Sequence, residues 1–242
     1  KLAKTAEKFG LGKTVLKGLK EEKIGIVPNT NWKLNTIGKN WYIGETLHSG
    51  IGQGYYLTTP PQLCLMTAQI ANGGYKIKPR LIFGEEDFEN NLKELNSSGF
   101  NQFFEGLTSK PLYNSQENIN FIKEAMFASS NEVGGTSYAS RLSNEKFTFA
   151  GKTGSSQIKR FTEEQREAEV KQKDIEYLSR DHALFVAFAP YKDPKYAISV
   201  LIEHGGTGSS SAAPIAKKVI KKVIERDNLR NLQKNKFVSK EI

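Results

Sequence analysis

The stretch Ala150-Gly151-Lys152-Thr153-Gly154-Ser155-Ser156-Gln157 decides how this chain is read. A short β-like run, Lys146 to Ala150, leads into a Lys-Thr-Gly triplet followed by hydroxyl residues. The three residue types share a logic: lysine supplies positive charge, a threonine hydroxyl can bond a carboxylate, and glycine lets a ligand lie against strand backbone. A phosphate-binding loop of the form G-x-x-x-x-G-K-[ST] would need glycine at position 146, which is Lys146, so this motif is not a nucleotide loop. Taken alone, the triplet fits a basic strand end at the surface equally well.

Ordered motifs around the triplet decide between these readings. Upstream stands Gly44-Glu45-Thr46-Leu47-His48-Ser49-Gly50-Ile51-Gly52-Gln53-Gly54-Tyr55-Tyr56-Leu57-Thr58-Thr59-Pro60-Pro61-Gln62-Leu63, followed by Ala71-Asn72-Gly73-Gly74 and Lys78-Pro79. Gly134-Gly135-Thr136 precedes the triplet, and Arg180-Asp181-His182-Ala183-Leu184-Phe185-Val186-Ala187-Phe188-Ala189-Pro190-Tyr191 follows it. In this order the motifs resemble the elongation-specific class B penicillin-binding proteins, from about Phe9 to about Val223. In that superfamily the Lys-Thr-Gly strand cradles substrate. The resemblance implies an α/β (α+β) transpeptidase fold of the penicillin-binding-protein and serine β-lactamase type, a five-stranded antiparallel sheet flanked by helices.

It also implies a chemistry. A serine attacks the carbonyl between the two terminal D-alanines of a peptidoglycan stem peptide, and a lysine takes its proton. The acyl-enzyme is then resolved by the amine of a neighbouring stem peptide, and β-lactams trap the serine by mimicking the dipeptide. Carried over by motif, Lys152 supplies charge near the substrate carboxylate, the Thr153 hydroxyl bonds it, and Gly154 keeps the strand edge open. The backbone N–H of Ser155 is expected to be one oxyanion-hole donor, a contact worth about 3 to 4 kcal/mol in other enzymes. Thr136 is a candidate to border the cleft, a structural turn being the other reading.

The mechanism needs Ser-x-x-Lys and then Ser-x-Asn or Ser-x-Asp ahead of Gly52-Gln53-Gly54. The first fifty residues offer only Thr5-Ala6-Glu7-Lys8, Thr14-Val15-Leu16-Lys17, Thr30-Asn31-Trp32-Lys33 and Thr36-Ile37-Gly38-Lys39, threonine in each and no second motif behind them. These read as chance spacings. Ser129-Ser130-Asn131, Ser143-Asn144-Glu145-Lys146 and Ser156-Gln157-Ile158-Lys159 fall in the wrong order and read as solvated loops. The expectation is a C-terminal part of the domain, its nucleophile and base lying before residue 1, inactive by itself. Two alternatives stay open: a nucleophile-free peptidoglycan-binding or scaffold module, and, less suited to the Gly52-Gln53-Gly54 context, a D,D-carboxypeptidase or β-lactamase.

Composition narrows partners. The 242 residues, 38% hydrophobic, suffice for one sizeable core, and no run approaches the roughly 18 apolar residues of a membrane span. The net charge of +9 is spread over the chain without an aromatic-interleaved RNA-binding pattern, so nucleic acid is not expected. Cys64, the single cysteine, permits no intramolecular disulfide and sits in an apolar stretch that reads as buried and inert. His48, His182 and His204 are scattered without zinc spacing, so neither metal nor cofactor is expected. His182 opens an apolar strand and reads as a buried, hydrogen-bonded histidine rather than a base, since the family uses lysine.

The resemblance further implies β-lactam antibiotics as ligands, glycan-polymerising and cell-shape proteins of the inner membrane as partners, and a periplasmic location with an anchor upstream. Along the chain, Thr59-Pro60-Pro61 should open a helix to Ala71 with Leu63, Met66 and Ile70 on its packed face and Gly73 as its stop. Gly84 to Gly99 reads as a surface excursion. Asn114 or Ser115 should begin a helix bearing Ile119, Ile122 and Met126, ended by Gly134-Gly135. Ala183 to Ala189 and Tyr196 to Ile202 read as a hairpin beside the triplet strand, and the last helix should bury Ile215, Val219 and Val223. Residues 1–225 are thus expected to form the domain part, with a charged, solvated insertion at 159–180, and 226–242 a polar tail. Gly50-Ile51-Gly52-Gln53-Gly54 reads as a tight turn, which the resemblance sets near the catalytic lobe.

Overall fold

Thr59-Pro60-Pro61-Gln62 starts a helix for reasons visible in its side chains. The Thr59 hydroxyl accepts the Gln62 N–H at 3.4 Å, and the Gln62 side-chain oxygen accepts the Thr59 N–H at 3.1 Å, while the prolines stand where helical N–H groups would be orphaned. The computed structural model describes residues 1–16, 19–79, 111–113, 115–158 and 171–238, with side chains to 229. The expected excursion at 84–99, residues 159–170 of the charged insertion, and Asn114 lie outside the described residues. The chain divides into two units, Lys1–Ile122 and Lys123–Ile242.

The first unit contains helices α1 (Leu2–Lys8), α2 (Thr30–Ile37), α3 (Ile43–Gly50) and α4 (Pro60–Ala71). The packed face of α4 differs from the expected one. Gln62, Leu65 and Gln69 are buried, whereas Leu63, Met66 and Ile70 are only half-buried. The two glutamines serve as backbone clasps: Gln62 donates to the carbonyls of Lys13 and Ile24 at 2.8 and 2.9 Å, and Gln69 donates to Phe9 at 2.8 Å while accepting the Ile77 N–H at 3.1 Å. A buried amide is tolerable because these bonds replace the water it gives up. Cys64 beside them is half-buried rather than buried. The turn after α3 is tight, as expected, with Gly52 and Gly54 at φ +75° and +85°.

Lys33, the lysine of one chance Thr-x-x-Lys spacing, is 2% exposed. Its ammonium binds the Glu45 carboxylate and the Asn40 carbonyl and lies 4.5 Å from the centre of the Tyr42 ring. The Lys33 hydrogen bond, followed by the Tyr42 N–H, holds the Glu45 carboxyl below its ordinary value. This is a structural lysine.

Helix α5 (Gln116–Asn131) is capped by Ser115, whose hydroxyl accepts the Asn118 N–H at 3.2 Å. Ile119 and Met126 are buried but Ile122 is 40% exposed, so only part of the expected stripe packs. In the second unit, strands β1 (Ala150–Ser156), β2 (His182–Ala189) and β3 (Tyr196–Ile202) form an antiparallel sheet in the order β1-β2-β3. The strand begins at Ala150, later than expected. Glu145–Phe147 is a single 3₁₀ turn capped by the Asn144 side chain, and that turn ends the expected β run before the strand starts. Three strands pair among the described residues, part of the five-stranded sheet that the resemblance implies for the whole domain.

Helix α6 (Ala213–Val238) covers the sheet, preceded by a π-helical turn at Gly208–Ala212. Its buried stripe is Ala213, Ala216, Ile220 and Ile224, packed with Phe149, Ala183, Phe185, Ala187 and Ala189. Ile215, Val219 and Val223, the residues expected to pack, are 42%, 42% and 36% exposed. Both sets follow helical three- and four-residue spacing, but alanines let the helix backbone approach the sheet closely and leave room for Phe185. Burying each isoleucine is worth roughly 1.5–3 kcal/mol. Helical backbone continues past Arg226 to Val238, through most of the expected tail.

Candidate functional site

Alternation along β1 puts Gly151, Thr153 and Ser155 on one face and Lys152, Gly154 and Ser156 on the other. The backbone groups of Gly151, Thr153 and Ser155 also share one edge. The Gly151 carbonyl accepts from the Ser130 hydroxyl at 3.4 Å, and the Thr153 carbonyl from the Lys152 ammonium at 2.8 Å. Both bonds lie on the side away from β2, so the Ser155 N–H faces that open edge too. Among the described residues β1 has no second strand partner.

The glycines fix the strand from behind. A Cβ on Gly151 would stand 2.4 Å from the Phe185 ring and 2.9 Å from the Val186 carbonyl oxygen. One on Gly208 would stand 2.2 Å from the Leu184 oxygen and 2.8 Å from that of Gly154, so the turn before α6 rests directly on the strand backbone. Gly154 is different: its Cβ would meet only the Leu184 Cβ, at 3.5 Å, an ordinary contact. Packing within the described structure therefore does not demand glycine there.

Gly134-Gly135-Thr136-Ser137 wraps the C-terminal end of α5. Gly134 has φ +89°, and a Cβ on Gly135 would lie 2.4 Å from the Ser129 carbonyl oxygen. The Ser137 N–H and hydroxyl both donate to that oxygen, each at 3.0 Å. Thus held, the Thr136 hydroxyl accepts from the Thr153 hydroxyl at 3.0 Å and lies 3.1 Å from the Ser129 hydroxyl. Lys152, Ser155 and Thr136 are exposed, and Thr153 and Gly154 half-exposed. One open edge thus gathers a cation, two hydroxyl side chains and outward N–H groups, suited to an extended, carboxylate-bearing ligand. Among the described residues no group of three or more His, Cys, Asp and Glu could hold a metal ion.

Comparison with known proteins shows the family. Residues 1–221 match the model of the penicillin binding protein transpeptidase domain. The chain belongs to that family. A peptidoglycan D,D-transpeptidase, MrdA, of Salmonella typhimurium is 34% identical over 212 residues, 88% of this chain and 32% of that protein. Among solved structures, penicillin-binding protein 2 of Helicobacter pylori, in complex with MreC, has a TM-score of 0.70 and 32% identity, covering 92% of this chain and 35% of its own. Penicillin-binding protein 2 of Pseudomonas aeruginosa, in complex with WCK 5153, has a TM-score of 0.66 and 30% identity over 90% of this chain and 41% of its own. The chain spans about a third of the length of the curated relatives it matches.

Within this transpeptidase-family sheet, His182 is half-buried rather than buried. Its Nδ1 accepts the His204 N–H at 3.0 Å, and the two rings meet edge to face at 4.9 Å. Ser129-Ser130-Asn131, read from sequence as a solvated loop, is instead part of the support. Ser130 is fully buried against Ser137 at 3.0 Å, and the Asn131 amide donates to the Phe127 and Phe149 carbonyls, each at 2.9 Å. The available signal was their place at the end of a helix ahead of two glycines, where a chain reversal returns polar side chains to the helix.

Proposed function

We propose that the protein is a peptidoglycan D,D-transpeptidase of cell-wall elongation, cross-linking stem peptides through a serine acyl-enzyme, and that β1 forms one wall of its active site. The observation that carries this reading is the open edge of β1, where Lys152, Thr153 and the Ser155 N–H converge. In it the D-Ala-D-Ala end of a stem peptide lies along the strand. Lys152 and the Thr153 hydroxyl hold the terminal carboxylate, and Gly154 leaves room for the peptide. The Ser155 N–H points at the oxygen that becomes negative as the acyl carbonyl turns tetrahedral, a contact strongest in the transition state. The attacking serine and its lysine base come from outside these 242 residues, and residues 1–225 supply the C-terminal part of the domain.

β-Lactams enter the same edge as dipeptide mimics. Glycan-polymerising and cell-shape proteins of the inner membrane are the partners this reading supplies, the Helicobacter relative solved with MreC being one support for the second. The enzyme works on the periplasmic side, anchored by a segment other than those described here, none of whose helices is long and apolar enough to cross a membrane.

The test is covalent labelling of the full-length protein with a fluorescent penicillin. Labelling that is lost on denaturation and slowed about 10- to 100-fold by Lys152→Ala supports the reading, the size following from loss of a charge-assisted contact. A full-length protein that stays unlabelled overturns it in favour of a binding module, and rapid turnover of a chromogenic β-lactam in favour of a hydrolase.

A further inference from the structure

Three side-chain hydroxyls stand in line on the second unit. Thr153 donates to Thr136 at 3.0 Å, and Thr136 lies 3.1 Å from Ser129 on α5. Each hydroxyl owns one proton and two lone pairs. While Thr153 donates to Thr136, its proton is committed, and a carboxylate, which only accepts, has nothing to take from it.

We propose that Thr136 and Ser129 are positioning residues that switch the Thr153 hydroxyl between two hydrogen-bond directions, a proposal that rests on the transpeptidase reading of β1. In the unliganded strand the line runs Thr153 to Thr136 to Ser129. When a carboxylate arrives the line reverses: Ser129 donates to Thr136, Thr136 to Thr153, and Thr153 to the carboxylate. Each proton stays on its own oxygen. No covalent bond is made or broken; because the Thr136 hydroxyl is placed to accept from Thr153, the reversal also turns the Thr136 side chain until it can donate. In the reversed line each hydroxyl polarises the next, and the last bond, to an anion, is the strongest.

Among the described residues, other bonds already fasten the strand and the loop that this line joins. The strand is already fastened nearby by buried bonds, Ser130 to the Gly151 carbonyl and Asn131 to the Phe149 carbonyl. Thr136 is exposed, yet its loop is fixed by two Ser137 bonds to the Ser129 carbonyl and by the close approach of Gly135. The loop therefore holds its hydroxyl at a set distance from Thr153 rather than burying a side chain.

The experiment is a double-substitution cycle on the full-length protein, reading the second-order rate constant of acylation by benzylpenicillin. Thr136→Val, which keeps shape and removes the hydroxyl, is expected to slow acylation about 5-fold, the effect of one hydrogen bond between neutral hydroxyls. Thr136→Ser restores the rate to within about 2-fold, and Ser129→Ala slows it by about 3-fold. On a Thr153→Val background, Thr136→Val has no further effect, because its only route to the ligand is gone. Wild-type acylation unaltered by Thr136→Val overturns the proposal, as does an equal loss on both backgrounds, which marks a merely structural threonine. Absence of acylation in the wild type instead removes the transpeptidase reading, and the proposal with it.

Discussion

Gln172 grips Asp181 twice: its Nε2 donates to the carboxylate at 2.9 Å, and its Oε1 accepts the Asp181 N–H at 2.9 Å. The other carboxylate oxygen accepts the Ile158 N–H at 3.2 Å, and the Asp181 carbonyl accepts from Gly206 at 2.8 Å. Ile158 and Gln172 flank the undescribed part of the charged insertion, so one 9%-exposed aspartate ties its entry, its exit, the start of β2 and the loop after β3.

Gln172→Ala therefore leaves a nearly buried carboxylate oxygen and an N–H without their partner. The expected cost is roughly 1–3 kcal/mol, measured as a lower urea midpoint with an unchanged slope. A change under about 0.5 kcal/mol would mean that water replaces the glutamine without loss.

Ile220→Ala on α6 is expected to cost about 2–5 kcal/mol, since it opens a cavity against Phe185 and its neighbours. Val219→Ala, one residue away and 42% exposed, should cost under about 0.5 kcal/mol. Chemical denaturation of the pair reads out directly which face of the helix is packed.

Gly151→Ala and Gly154→Ala should separate folding from ligand access. The first forces a methyl into the Phe185 ring and is expected to cost roughly 1–3 kcal/mol. The second meets only an ordinary contact, so under the transpeptidase reading the melting temperature should hold while acylation of the full-length protein by a fluorescent penicillin falls, the methyl occupying space that the ligand needs. Equal acylation in Gly154→Ala and wild type would show that the ligand does not lie close to this strand.

Acid should weaken the first unit through Glu45. Its carboxyl is held below the ordinary value of 4.5 by the Lys33 hydrogen bond, so its contribution is fully present above that pH and is lost as pH falls through the lowered folded value. Glu45→Gln, which leaves the buried Lys33 ammonium without a counter-charge, should be less stable than wild type at pH 7. The gap should narrow below about pH 4.5, as thermal melts across pH 3 to 7 would record.

The elements legible in the sequence are those written in short-range grammar. The Thr59-Pro60-Pro61-Gln62 cap, the β2–β3 hairpin around Pro190 to Pro194, and the Lys-Thr-Gly strand each follow from neighbouring residues. What escaped depends on partners far along the chain. Gln69 can be buried only because Phe9 offers a carbonyl, and Lys33 only because Glu45 arrives twelve residues later. On α6 the alanine stripe packs because β2 presents Phe185 opposite it, and hydrophobicity by itself favours the bulkier wrong face. The candidate residues of the proposed site, Lys152, Thr153, Gly154, Ser155 and Thr136, were named from motif alone. Its supports, Ser129, Ser130 and Ser137, were not, because serine spacing carries no sign of which hydroxyls a loop will bring together.

Gly208, with the Leu184 and Gly154 oxygens inside the space a side chain would need, constrains inheritance as well as packing. Neither it nor Gly151 can change without displacing the strand, so selection by an inhibitor has little freedom on the ladder side of β1. Under the transpeptidase reading, heritable change in ligand preference is left to positions whose side chains face the open edge, Ser155 first among them. If β-lactams bind at this wall as proposed, a lineage escaping one there would alter how the ligand is greeted, not the strand that receives it.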